Sequence, residues 1–362
     1  MKKIILALLA VCLLTGCHRA KKSVQEQTSN EAASMETFSD SYYKIVNFGD
    51  SELREDFYLD YGATSDFQNI GRGLQMLSAQ YFSTSSYYMG EGRYLGLEEK
   101  QQLVKRAEDK SKYPYTLQPE KGSSVEGVSE PIMVSNVQEQ DYYVKDGSNY
   151  TLKGASFAII LDPTNSDGSA LESDMSDSTL RSYGEQCVKQ FYKFINEYES
   201  FQDNLKDLPI VIAIYKATDT STSTVGGDYI LKSYCDGGVG SAEKVNYETV
   251  LFSSDRAQEV DKATYTNFVE IKASLKNAST EAAGLVGEAH YIDGDIQSMV
   301  MNANLNIKTY TELLYLTSVL ADSINSKFTY DFDCKVLVNS QDKLQAIIVK
   351  NKGEKAESHI LY

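Results

Sequence analysis

LPIVIAIY (208–215) is the stretch whose reading decides the fold class. From Ile210 to Tyr215 no charged or amide side chain interrupts it, and it is rich in β-branched residues. The run is too short for a buried helix and has no solvent face, so it reads as a strand covered on both sides. Upstream, Leu180, Tyr183, Cys187, Phe191, Ile195 and Tyr198 recur at helical spacing. An acidic loop and the apolar strand Ala155–Leu161 precede that helix. Before them Asp146-Gly147 separates two apolar runs, which predicts a hairpin because glycine accepts the positive φ of a tight turn. The order is hairpin, helix, buried strand.

The second half repeats this order. Tyr291-Ile292-Asp293-Gly294 is the next turn signal, followed by a strand over Ile296–Leu305. Thr309-x-x-Glu312 has the spacing of a capping box. Leu313, Leu316, Leu320 and Ile324 form the apolar stripe behind it. Phe332, Cys334, Val336 and Val338 then alternate as a strand, and Leu344–Val349 adds another. Hairpins mixed with packed helices predict an α+β fold with mixed and antiparallel sheets. Two loosely repeated units are expected, at 42–220 and 221–362. The remaining expectations are local. Tyr42–Phe48 reads as a strand. Phe67, Ile70, Leu74, Leu77 and Tyr81 read as a helix capped by Ser65 or Asp66. A polar helix covers Leu97–Lys110, and a linker rich in Pro, Gly and Ser covers Tyr113–Glu130. Tyr229–Tyr234 and Val245–Phe252 are strand-like, and Val260, Phe268, Ile271 and Leu275 mark a further helix.

The N-terminal end carries an address. Lys2 and Lys3 precede an apolar run from Ile4 to Leu14, then Leu14-Thr15-Gly16-Cys17. This is the order of a secretory signal, with small residues at the cleavage point. A spanning helix needs roughly 20 apolar residues, so this run is too short to be a membrane anchor. The tetrad resembles the lipobox of bacterial lipoproteins. That resemblance implies cleavage between Gly16 and Cys17 by lipoprotein-processing enzymes and acylation of the Cys17 sulfur. The expected location is the extracellular face of the cell membrane, held by lipid. Residues 17–41 are polar beyond the cysteine and read as a flexible tether, reaching roughly 25–30 Å as a random coil.

Removing residues 1–16 takes away two lysines and no acid, leaving 33 basic against 51 acidic residues, a formal charge of −18. Such a body does not bind nucleic acid nonspecifically. A 42% hydrophobic fraction and 39 aromatic residues, 26 of them Tyr, are enough for well-filled cores. Cys12 falls in the signal segment and Cys17 in the lipobox. Cys187, Cys235 and Cys334 remain, which allow at most one internal disulfide and read as small buried apolar residues.

Signals for chemistry are sparse. Phe48-Gly49-Asp50-Ser51 behind a strand resembles the nucleophile block of GDSL hydrolases, but neither His290 nor His359 has the Asp three residues earlier that such enzymes use as a partner. Asp162-Pro-Thr-Asn165-Ser-Asp167-Gly168 resembles a calcium loop, yet registering Gly168 at position six puts Pro163 at position one, without a side-chain oxygen. Tyr81, Tyr87, Tyr88 and Tyr94 are candidates to line a groove for glycan or peptide. No metal site, cofactor or catalytic residue is expected.

GLQMLSAQYFSTSSYYMGEGRYL (73–95), EQDYYVKDG (139–147), LPIVIAIYKA (208–217) and TYTELLYLTSVLADSI (309–324) resemble the CamS family of Gram-positive lipoproteins, the sex pheromone cAM373 precursors. The resemblance covers most of the chain after the tether, with EQDYYVKDG the most specific piece. It implies that the apolar segment before the lipidated cysteine is released as a short peptide that induces conjugative plasmid transfer. Here that segment is Ala10-Val11-Cys12-Leu13-Leu14-Thr15-Gly16. The resemblance transfers no catalytic residue to the body. Two other readings stand beside it: a binding module for cell-wall glycan, peptide or protein, and a wall-acting enzyme whose carboxylates converge only in the fold.

Overall fold

The computed structural model describes residues 42–106, 112–218, 225–279, 284–329 and 332–361. Cys17, Gly16, the segment from Ala10 to Gly16 and the tether up to residue 41 lie outside the described residues. The first sheet has seven strands in the spatial order β1 (Lys44–Ile45), β2 (Tyr88–Glu91), β5 (Ile132–Asp146), β6 (Asn149–Thr164), β7 (Ile210–Lys216), β8 (Asp228–Cys235) and β9 (Glu243–Lys244). A separate two-stranded ribbon pairs β3 (Ser124–Val125) with β4 (Val128–Ser129). The second sheet has six strands in chain order: β10 (Tyr247–Leu251), β11 (Gly284–Ile292), β12 (Asp295–Leu305), β13 (Asp333–Ser340), β14 (Lys343–Lys350) and β15 (Glu357–Ile360). The α-helices are α1 (Arg54–Tyr61), α2 (Asp66–Ser78), α3 (Leu97–Val104), α4 (Asp177–Glu197), α5 (Asp255–Val260), α6 (Lys262–Ala278) and α7 (Tyr310–Lys327). The fold is α+β with mixed sheets, as the sequence pattern predicts.

The repeated order extends further than the sequence suggests. In the first sheet β5 and β6 form an antiparallel hairpin, α4 crosses over, β7 joins β6 in parallel and β8 returns antiparallel. In the second sheet β11 and β12 form the hairpin, α7 crosses over, β13 joins β12 in parallel and β14 returns antiparallel. Outer strands match too. β2 and β10 flank the hairpins antiparallel, and β9 and β15 close the far edges antiparallel.

Both hairpin turns fall where Asp-Gly predicts them. Asp146 pairs with Asn149 around Gly147, which has φ +60°. Asp293 and Gly294 both have positive φ, 53° and 89°, the backbone of a two-residue turn that follows strand twist.

The two sheets differ in what covers them. α4 and α3 cover one face of the first sheet, and Phe157, Ile159, Ile212 and Ile214 point there. α1 and α2 cover the other face over Ala158, Ile160, Ala213 and Tyr215. This two-sided burial is why β6 and β7 carry unbroken apolar runs. In the second sheet α6 and α7 cover one face, and Met299, Met301, Ala303 and Leu305 of β12 alternate with more exposed Val300, Asn302 and Asn304.

Helix α2 sits against the first sheet through Ile70, Leu74 and Leu77. Its closest approach is at Gly73. A Cβ there would stand 2.5 Å from the Tyr229 ring and 3.1 Å from that of Tyr247. Neither Ser65 nor Asp66 caps the helix through its side chain. Asp66 instead accepts from the Tyr215 hydroxyl at 2.7 Å and from Gly227 N at 2.6 Å, because the helix start is buried against β7 and the β8 approach.

Several boundaries move for physical reasons. The strand expected over Tyr42–Phe48 shrinks to Lys44–Ile45, since β2 offers it only two parallel partners. The helix expected over Leu97–Lys110 ends at Val104, where Lys105 turns extended (φ −82°, ψ 134°) and Arg106 donates to the Glu130 carbonyl at 2.8 Å; residues 107–111 lie outside the described residues. Tyr113–Glu130 is not a bare linker: Leu117 is buried, and the Gln118 amide bonds Met133 N at 2.8 Å and the Val134 carbonyl at 2.6 Å. The helix over Val260–Leu275 is broken at Asp261, whose side chain caps α6 through Thr264 N at 3.0 Å. Tyr229–Tyr234, placed by sequence in the second unit, belongs to the first sheet, because β8 pairs with β7 over Ile210–Lys216. Among the described residues no helix is long and apolar enough to cross a membrane.

Ile212 lies at 0% exposure between Phe157 and Ser233 in the ladders. Ile212→Ala is expected to cost roughly 2–5 kcal/mol in denaturant unfolding; stability equal to the parent would contradict its place in the core. Gly73→Ala is expected to destabilise by about 1–3 kcal/mol through overpacking against Tyr229. Gly71→Ala, one turn-half away with its nearest neighbour at 3.7 Å, should be neutral or gain up to about 1 kcal/mol of helix propensity. Equal effects at the two glycines would show that close approach is not what sets Gly73 apart.

Candidate functional site

A cavity of about 800 Å³ opens between the α1–α2 pair, the β2–β5 edge and the second sheet. α1 and α2 supply Phe57, Tyr58, Phe67, Gln68 and Gln75; β5 supplies Gln138, Glu139 and Gln140; β12 and β13 supply Ser298, Val300 and Lys335. Strand alternation explains why β5 contributes to both sides. Gln138 and Gln140 face α2, where Gln140 donates to the Gly71 carbonyl at 2.8 Å. Val137 and Glu139 face the other way, toward Leu53 and Leu95. The cleft therefore wraps the end of β5 beyond β2.

Charges in the cleft are tied down. Arg54 donates to Glu91 at 2.9 Å and also pairs with Asp50. Arg72 reaches across from α2 to the Ser298 hydroxyl on β12. The Lys335 ammonium lies 5.6 Å from the centre of the Tyr42 ring. Beside this bridge, His290 Nδ1 lies 3.2 Å from the Tyr247 hydroxyl and 3.1 Å from that of Thr249. Burial, reinforced by the Arg72 charge, pushes the imidazole down to about 3. It is therefore neutral at physiological pH, and its 3.7 Å approach to Glu288 is not an ion pair.

Two carboxyls raised well above the usual carboxylate range, Glu139 and Asp141, lie within EQDYYVKDG. Both are buried, at 7% and 0% exposure. Residues two apart on a strand share a face, so the two carboxyls lie side by side. Glu139 accepts from Leu95 N at 2.8 Å and Tyr94 N at 3.0 Å, and Tyr143 donates to Asp141 at 3.1 Å. Burial is the largest cause and lifts Glu139 to about 7, against the lowering pull of the two N–H groups. Asp141 is raised by burial and then by the charge of Glu139. Two such carboxyls do not both ionise, so they hold one proton between them. Gly92 makes room for this arrangement, because a Cβ there would stand 2.3 Å from that of Glu139. Of the two, Glu139 borders the cleft.

Of the sequence-derived candidates, Ser51 borders this cavity but has no histidine partner there, and the others are held in local structure. Ser51 accepts from Leu53 N at 3.1 Å in a turn before α1. His290 is fixed in β11 by Tyr247 and Thr249, and His359 is on the edge strand β15. Asp167 of the loop after β6 accepts from Ser169 N at 3.0 Å and Ser169 Oγ at 2.7 Å, a self-contained turn. Among the described residues no cluster of three or more His, Cys, Asp or Glu could hold a metal ion. The tyrosines expected to line a groove pack instead: Tyr81 stacks on Tyr234 at 4.3 Å, and Tyr88 meets Tyr150 edge-on at 5.1 Å. Cys187, Cys235 and Cys334 are buried free thiols. The cleft itself was missed, although two acids spaced by two in an otherwise buried strand were its visible signal.

A family model described as the CamS sex pheromone cAM373 precursor matches residues 50–356. The structure is similar to that of a sex pheromone precursor from Lactobacillus salivarius subsp. salivarius, with a TM-score of 0.75 and 20% identity over 90% of this chain and 97% of that one. It is also similar to the C-terminal domain of the sex pheromone staph-cAM373 precursor from Staphylococcus aureus, with a TM-score of 0.67 and 21% identity over 82% of this chain and 97% of that one. No curated protein matches the sequence at a significant level.

The shared proton gives a signed pH dependence. Glu139 is raised above the unfolded value of about 4.3, so the unfolded chain releases its proton first as pH rises. Stability from this site is fully present below about pH 4, is lost as pH rises toward 7, and is level above that. Asp228, raised to about 7 by burial, acts in the same direction, so the comparison must be differential. Glu139→Gln keeps an acceptor for Leu95 N and supplies a donor to Asp141. Its stability relative to the parent is expected to be higher at about pH 7.5 than at about pH 5, by on the order of 1–3 kcal/mol. Parallel pH profiles in the two proteins would refute the shared-proton reading.

Proposed function

The chain belongs to the CamS sex pheromone cAM373 precursor family, and from that premise we propose that it is a surface lipoprotein precursor, anchored by acyl chains on Cys17, whose segment Ala10–Gly16 is released as a peptide signal. The observation that carries the reading is the Leu14-Thr15-Gly16-Cys17 tetrad behind an apolar run too short to span a bilayer. Two acyl chains supply the anchoring that one chain provides only marginally. In this reading residues 17–41 stand between the lipid and the described residues, which begin at Tyr42.

The peptide half of the reading follows from the chemistry of the fragment. Cleavage before Cys17 leaves an apolar remnant ending at Gly16. Trimming before Ala10 gives a seven-residue neutral peptide. Membrane affinity grows with buried apolar area, so a peptide this short leaves the lipid. In this reading the protein is a precursor rather than an enzyme, and it acts on a responding cell through the released segment.

Two measurements separate the halves. Metabolic labelling with a fatty-acid probe should mark the parent protein and leave Cys17→Ala unmarked; equal labelling would end the anchor proposal. Mass spectrometry of culture supernatant should find a peptide ending at Gly16, and synthetic Ala10–Gly16 at nanomolar doses should raise plasmid transfer in a responder strain. Absence of the peptide, or no response to it, removes the signalling half and leaves the anchor standing.

A further inference from the structure

We propose that the cleft between α2 and the second sheet binds an uncharged oligosaccharide bearing acetamido groups. The site lies in the folded body and does not depend on the fate of Ala10–Gly16 or on acylation of Cys17.

Size and shape come first. The 800 Å³ cavity does not end at the Arg72–Ser298 bridge. A second recess of about 820 Å³ lies on the other side, and both are bordered by Tyr42, Arg72, Gln75, Ser298 and Asp333. Together they form a trough between the two sheets, larger than a single drug-sized ligand fills. Its shape suits a polymer segment of several units.

The lining then selects the chemistry. Four glutamines border the first cavity: Gln68, Gln75, Gln138 and Gln140. An amide has an acceptor and two donors in one plane, the complement of an acetamido group or a pair of hydroxyls; Gln140 spends its own on the Gly71 carbonyl and the Tyr142 hydroxyl, which leaves Gln68, Gln75 and Gln138 to meet a ligand. Gln138 Oε1 is enclosed and has no donor, so a ligand that reorients this amide gains a hydrogen bond the free protein lacks. Tyr58 stands at the mouth, 56% exposed, with Phe67 edge-on at 5.9 Å. A flat ring with a polar tip is the surface on which the apolar face of a sugar rests.

Charge argues against anionic polymers. Arg54 is spent on Asp50 and Glu91, Arg72 bridges to Ser298, and the whole chain carries −16. An extended peptide would be recognised by adding a strand to a free edge, and the β5 edge near the cleft is occupied. The Gln118 amide holds Met133 N and the Val134 carbonyl, the Asn136 side chain holds Val137 N at 2.8 Å, and Gly92 lies over Glu139. Recognition is left to side-chain amides and aromatic faces, which is carbohydrate chemistry.

The test is calorimetric titration of the full chain in detergent with a β-1,4-linked tetramer of N-acetylglucosamine. The matched glucose tetramer and an extended neutral peptide serve as competitors. Saturable binding of the acetylated tetramer is expected, at least tenfold tighter than the glucose tetramer. Gln138→Ala and Tyr58→Ala should each weaken it at least fivefold, while Tyr58→Phe, which keeps the ring, should retain most of it. Tyr58 is exposed, so its variants test the site even where Gln138→Ala fails to fold. No saturable binding, equal binding of the glucose tetramer, tighter binding of the peptide, or indifference to the Tyr58 variants would each overturn the proposal.

Discussion

Helix α2 lies against Tyr229 at a distance only glycine allows, and most of the architecture depends on that contact. With Gly73 in place, Ile70, Leu74 and Leu77 reach the sheet and seal the second face of β6 and β7. The Tyr229 hydroxyl donates to the Ile70 carbonyl at 2.5 Å, and its ring meets Tyr215 and Tyr247 edge-on at 5.0 and 5.6 Å. Tyr247 opens the second sheet, so the same aromatic stack that seats the helix also joins the two halves. The outward face of α2 then has only one place to go. It carries Gln68, Arg72 and Gln75 into the space before β12, and that space is the cleft.

The two halves share a topology and have opposite solvation. In the first, helices sandwich the sheet, and its hairpin strand β6 is buried from Ala155 to Leu161. In the second, helices cover one face only, and β12 alternates. The slot that α2 fills over the first hairpin has no helix over the second, and the trough occupies part of it. A duplicated framework thus yields one closed unit and one half-open unit, with the trough where the symmetry fails.

What the sequence disclosed follows the strength of its periodic signals. β7, α4, the helix stripe from Leu313 to Ile324 and the Asp-Gly turns were legible because burial on two faces, helical spacing and positive φ each leave a local mark. The Thr309 cap was legible in the same way: Thr309 accepts from Glu312 N at 3.1 Å, although Glu312 reaches back to Lys308 N rather than to Thr309 itself. The turn at Gln341-Asp342 was not legible, because both residues take positive φ without a glycine. The segment 113–130 was misread because its Pro and Gly content hides two anchors, Leu117 and Gln118. The fold class was in the pattern, whereas the cleft draws on α1, α2, β5, β12 and β13, segments joined only by tertiary packing. Of its residues only the Glu139–Asp141 spacing left a trace in the sequence.

The entry of the chain into the body has a mechanical consequence. β1 pairs with β2 over two residues at the outer edge of the first sheet, with Tyr43 and Val46 buried on either side. A pull applied at the N-terminal end arrives there, in line with a parallel ladder, and loads it in shear. Force then spreads through β2 into the long β5–β6 hairpin. The second sheet hangs from the first through the Tyr229–Tyr247 stack and the Arg72 bridge, off the axis of tension. Such a pull would strain the closed unit first, at the β1–β2 edge that borders the trough, before it reached the second sheet.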